Sequence, residues 1–82
     1  MDLFDRNDKT LIFIKITKDF VEYFKDAVIK TNYSFINDKH LLIVNDTENT
    51  PYYVTLIDSL CKENNVTFSL STTKHALFFR IK

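Results

Sequence analysis

The sequence predicts an α+β fold: a two-layer sandwich whose antiparallel sheet carries both helices on one face. Two observations carry this. Segments of strand character, either alternating or continuously β-branched and apolar, are interleaved with two segments of helical spacing. They follow one another as β-α-β-β-α-β-β, separated by short clusters of Asn, Asp, Thr and Pro.

Residues 10–17, TLIFIKIT, are a continuous apolar run rich in β-branched side chains and read as a central strand. Ile12, Ile14 and Ile16 share one face; Leu11, Phe13 and Lys15 share the other. The nine residues before it are polar, and they are expected to be loose or to add a short edge segment. Residues 18–30 switch to helical spacing, with Phe20, Val21, Phe24, Ala27 and Val28 in one stripe and Thr17 as the cap.

Residues 33–36 and 40–45 read as a hairpin. The chain has no glycine, so Asn37 and Asp38 are expected to supply any positive φ in its turn. Residues 46–49 form an acidic loop. Thr50-Pro51 then marks a helix start, and Tyr53, Val54, Ile57, Leu60 and Cys61 form its apolar stripe. Asn64-Asn65 is a left-handed stop in place of glycine.

Residues 66–71 alternate, with Val66, Phe68 and Leu70 inward and Thr67, Ser69 and Ser71 outward. After a turn at 72–74, residues 75–81 form the last strand. It sets Leu77, Phe79 and Ile81 against Ala76, Phe78 and Arg80. The first six segments match the ferredoxin-like β-α-β-β-α-β pattern, with strand order 4-1-3-2. The seventh is expected to extend that sheet beside the strand at 66–71.

Eighty-two residues make a single domain with a small core, and 45% hydrophobic content with 15% aromatic content makes it globular. Eleven basic and eleven acidic side chains cancel, which weakens the case for non-specific nucleic-acid binding. A lone cysteine, Cys61, and a polar N-terminus without an apolar signal core fit a reducing, cytoplasmic setting. No apolar run approaches the length of a membrane helix. Phe, Tyr, Ile, Asn and Lys, whose codons are AT-rich, far outnumber Gly, Ala, Arg, Pro and Trp, which points to an AT-rich genome.

No catalytic, cofactor-binding or metal-ligating residues are expected. Without glycine there is no phosphate-cradling loop or dinucleotide turn. His40 and His75 have no ligand or base at useful spacing, and Cys61 sits on an apolar stripe where a thiol packs as a small hydrophobe. The chain therefore reads as a non-enzymatic domain.

Its unusual feature is a second apolar sheet face. Leu11 and Phe13, Leu41 and Ile43, and Phe78 all fall opposite the core-facing set, with Lys15 and Arg80 beside them. Large exposed apolar patches mark interfaces. Three readings compete: association with another protein or with a second copy of the chain, single-stranded nucleic acid stacking on Phe13 and Phe78, and a face covered from within by the N-terminal segment. Residues 40–45, HLLIVN, lack the aromatic and basic residues of RNA-recognition domains, so protein association is the expectation. In size, composition and lack of catalytic residues the chain resembles anti-CRISPR proteins, small products of phages and mobile elements that block a host complex. That resemblance rests on no motif. It implies an inhibitor that acts by occupying a site, with Asp46 and Glu48 imitating nucleic-acid phosphates.

Overall fold

The structure, a computed structural model, describes residues 2–25 and 32–82, and within them the side chains from residue 8 onward. Its elements run α1 (Asp2–Lys25), β1 (Tyr33–Ile36), β2 (Leu41–Val44), α2 (Thr50–Glu63), β3 (Phe68–Thr72) and β4 (Leu77–Ile81). A 3-10 turn, Asn37–Lys39, joins the first two strands. The four strands form one sheet in the order β1-β2-β4-β3, with each neighbouring pair antiparallel. The α+β class and the antiparallel sheet are thus as the sequence predicts.

The first strand is not. Residues 10–17, expected as the central strand, are the middle of α1, and residues 2–9 of the expected loose or edge segment before them form its first turns. The helical signal is a stripe that crosses the expected boundary. Phe13, Ile16, Phe20 and Phe24 recur at spacings of three and four, and all are buried. No turn former separates Thr17 from Lys18. Thr17 is an interior helix residue rather than a cap, and its Oγ1 donates to the Phe13 carbonyl at 2.8 Å. Burial along one helical stripe outweighs the weak strand preference of Ile and Thr. The expected stripe members Ala27 and Val28 lie outside the described residues.

This changes the topology. In the predicted order, residues 10–17 stood between the strand at 66–71 and the strand at 40–45. That position is taken by β4, which lies between β3 and β2. The element order is α-β-β-α-β-β and not the ferredoxin-like β-α-β-β-α-β. β4 does pair with β3 as a hairpin, as expected, but it is an interior strand and not an added edge. Its composition suits that place, since Leu77, Phe78 and Phe79 leave neither face polar at the sheet centre.

Both helices cover the same sheet face. Leu42 and Val44 of β2 and Leu77, Phe79 and Ile81 of β4 share one core with the α1 stripe and with Tyr53, Leu56, Ile57, Leu60 and Cys61 of α2. Tyr33 and Phe35 of β1 meet Phe20 edge-on, at ring separations of 5.3 and 6.1 Å. Opposite them in the pleat lies the other face of the sheet.

Among the described residues of this glycine-free chain, two adopt positive φ. Asn65 (φ 57°) ends α2, as expected. In the hairpin, His40 (φ 52°) takes the left-handed position expected of Asn37 or Asp38. Its ring lies 5.6 Å from that of Phe13, and its Nε2 lies 3.2 Å from Thr10 Oγ1, so contacts with α1 hold it in place.

Candidate interaction surface

The strand registers place residues on the open face. Ile81 N–H donates to the His40 carbonyl at 2.9 Å, which makes residues 40 and 81 a hydrogen-bonded pair. By alternation along the β2–β4 ladder, Ile43↔Phe78 and Leu41↔Arg80 are non-hydrogen-bonded pairs. In such pairs the side chains come closest together. Ile36 lies beside Leu41, and Ser34 beside Ile43, on β1. Ser69 lies beside Arg80, and Ser71 beside Phe78, on β3. The face is therefore an apolar centre of Ile36, Leu41, Ile43 and Phe78, with Arg80 at one end and serines along both outer strands. Ile36, Leu41, Ile43 and Phe78 are all half-buried, and Arg80 is exposed.

Of the expected interaction residues, this face brings together Leu41, Ile43, Phe78 and Arg80. It excludes Leu11, Phe13 and Lys15, which belong to α1. Phe13 is in the core at 1% exposure. The stacking platform expected of Phe13 with Phe78 is thus not formed, because one of its two rings is buried under the opposite face. Leu11 and Lys15 are exposed on the outer side of α1. Leu11, Ile14 and Val21 form an exposed apolar stripe there. Ile36 was missed on the open face, although its alternation with Phe35 pointed to it.

The acidic loop has a structural role. Asp46 accepts hydrogen bonds from the Tyr53 hydroxyl, from Asn49 Nδ2 at 3.0 Å and from the Glu48 backbone N–H at 2.9 Å. Both carboxylate oxygens are engaged within the chain, so Asp46 ties the loop to α2. Glu48 is exposed. The Tyr53 hydroxyl, then Asn49, hold the Asp46 carboxyl below its ordinary value of 3.8; burial opposes them, and the Glu48 N–H adds a lesser lowering. A lowered folded pKa gives stability that is present above the unfolded value and lost as pH falls through the folded one. Tyr53→Phe is expected to cost about 1 kcal/mol near pH 7, discounted for the half-exposed carboxylate, and less as the pH falls and Asp46 is protonated. Denaturant titration at neutral and at acid pH measures this; an equal loss at both would contradict it.

Cys61 is buried on α2, and burial, helped by Asp58, pushes its thiol up to about 11. The thiolate is scarce at neutral pH, so the group is a poor nucleophile. Native protein should react with an alkylating reagent many times more slowly than denatured protein, followed by mass spectrometry. Comparable rates would place the thiol at the surface.

Among the described residues, no group of three or more His, Cys, Asp or Glu side chains is placed to hold a metal ion. No helix among them is long and apolar enough to cross a membrane. A shallow groove of about 450 Å³ runs between the helices, lined by Asp19, Glu22, Tyr23, Leu56 and Glu63 among others. No family model matches the chain, and neither does any curated protein or solved structure.

Proposed function

We propose that the chain is a non-enzymatic protein–protein interaction domain that docks through the open face of its sheet. The observation that supports this is the Ile43↔Phe78 pair at the centre of that face, flanked by Leu41 and Ile36. In a two-layer sandwich the face away from the helices is ordinarily polar. Here the two inner strands keep Leu41, Ile43 and Phe78 on it and β1 adds Ile36, while Ser34, Ser69 and Ser71 of the outer strands border them. An apolar centre with a polar rim is the anatomy of an interface. Phe78 is the anchor in this reading, since aromatic residues at the centre of an interface carry much of its energy. Arg80, exposed at one end, suits a carboxylate on the partner.

A small inhibitor that blocks a host complex is one role for such a domain, and its support is size and composition alone. The face itself calls for a partner with a flat apolar patch bordered by acidic groups. The test is affinity capture from source-cell extract with wild-type protein, Phe78→Ser and Ile43→Ser, with Lys62→Ala on the helical side as control. The expected result is a protein retained by wild type and Lys62→Ala and lost from both face variants. Equal capture by all four would overturn the proposal.

A further inference from the structure

We infer that the outer edge of β3 pairs with β3 of a second copy of this chain, joining two four-stranded sheets across a two-fold axis at Leu70. The inference concerns an edge and not the open face, and stands independently of the docking proposal.

The hydrogen-bond parity of β3 carries the argument. Lys82 N–H donates to the Thr67 carbonyl at 2.8 Å, and Thr73 N–H donates to the Ala76 carbonyl at 2.9 Å. Pairs 67/82 and 73/76 are therefore hydrogen-bonded, and by alternation so are 69/80 and 71/78. The backbone N–H and C=O groups of Phe68, Leu70 and Thr72 then point away from β4, along an edge that no described strand occupies. A second β3 laid antiparallel about Leu70 sets Leu70 opposite Leu70 of the second copy, and Phe68 opposite its Thr72. Every outward N–H in the strand then meets an outward C=O.

The side chains permit this pairing. Edge strands are normally guarded by lysine, proline, a bulge or a covering loop. β3, FSLST, has no charge and no proline. In the paired register Ser69 faces Ser71, and beyond the strand Thr67 faces Thr73 and Val66 faces Lys74, so no like charges meet. Leu70 shares the helical side with Phe79, its partner on β4, yet remains 36% exposed; pairing covers it with its own copy. On the other edge strand the core-side residues Tyr33 and Phe35 of β1 already lie against Phe20, so they leave no counterpart of the exposed Leu70. Zero net charge removes long-range repulsion between copies. Self-pairing would also place two open faces side by side on one eight-stranded sheet.

Amide exchange followed by NMR on wild-type protein tests this without a mutation. Between about 1 μM and about 1 mM protein, exchange at Leu70 and Thr72 should slow with concentration. Exchange at Ser69 and Ser71, already bonded to β4, should not change. Sedimentation equilibrium over the same range should show a reversible monomer–dimer system. Leu70→Lys sets ammonium against ammonium and should raise the dimer dissociation constant about 100-fold. Leu70→Pro removes an outward N–H only, as edge strands tolerate, and should also give monomer. Phe78→Ser should leave the dimer intact. Concentration-independent exchange at Leu70, a monomer throughout, or a dimer lost in Phe78→Ser but kept in Leu70→Lys would each overturn the inference. So would Leu70 protection that appears only when cell extract is added, which would assign the edge to a foreign strand.

Discussion

Phe79→Ala is expected to unfold the protein, or nearly so, at room temperature. Phe79 is 0% exposed, stands opposite Leu42 and Leu70 in the sheet and touches the Phe68 ring at 5.8 Å. Removing a buried phenyl ring loses its transfer free energy and leaves a cavity, together about 3–5 kcal/mol. A domain this small has a total stability of order 5 kcal/mol. β4 is an interior strand, so the surrounding elements cannot collapse into the gap without breaking pairing on one side. Circular dichroism with denaturant titration checks this. A loss below about 1 kcal/mol would place Phe79 outside a tightly packed core.

Phe13→Ala should cost a similar amount, about 3–5 kcal/mol, while Leu11→Ser, two residues away, should cost less than about 0.5 kcal/mol. The contrast separates helix from strand over residues 10–17. In a strand, positions 11 and 13 share a face and would respond alike. In α1 they are 200° apart, at 100° per residue. Phe13 is buried against Phe35 and His40, and Leu11 is 62% exposed. Equal and large losses at both positions would restore the strand.

The parts legible in the sequence are those with local punctuation. Pro51 fixed the start of α2, the Asn64-Asn65 pair its end, and the short hairpins at 33–44 and 68–81 were bounded by polar turns. The opposite faces of Phe78 and Phe79 followed from period-2 alternation alone, and the strand register sets Phe78 beside Ile43. What failed was the one long segment without punctuation. TLIFIKIT has strand-like residues, but its apolar positions continue at helical spacing into Phe20 and Phe24. Only the wider window, 13 to 24, shows that period. The error then propagated, because a strand placed first in the chain took the interior position that belongs to the last. The role of Asp46 was hidden for a different reason: its partner Tyr53 lies seven residues on, and nothing in local spacing links a loop carboxylate to a buried tyrosine hydroxyl.

The central claim is that the Ile43–Phe78 centre of the sheet faces outward and is available to a partner. Thermal melting of Phe78→Ser at low micromolar concentration tests it most directly. The variant loses a cross-strand pair worth about 0.2–1 kcal/mol. It should therefore melt cooperatively, within about 8 °C of wild type. A Phe78→Ser protein that is unfolded at room temperature, as Phe79→Ala is expected to be, would contradict the account, because the ring would then be part of the core.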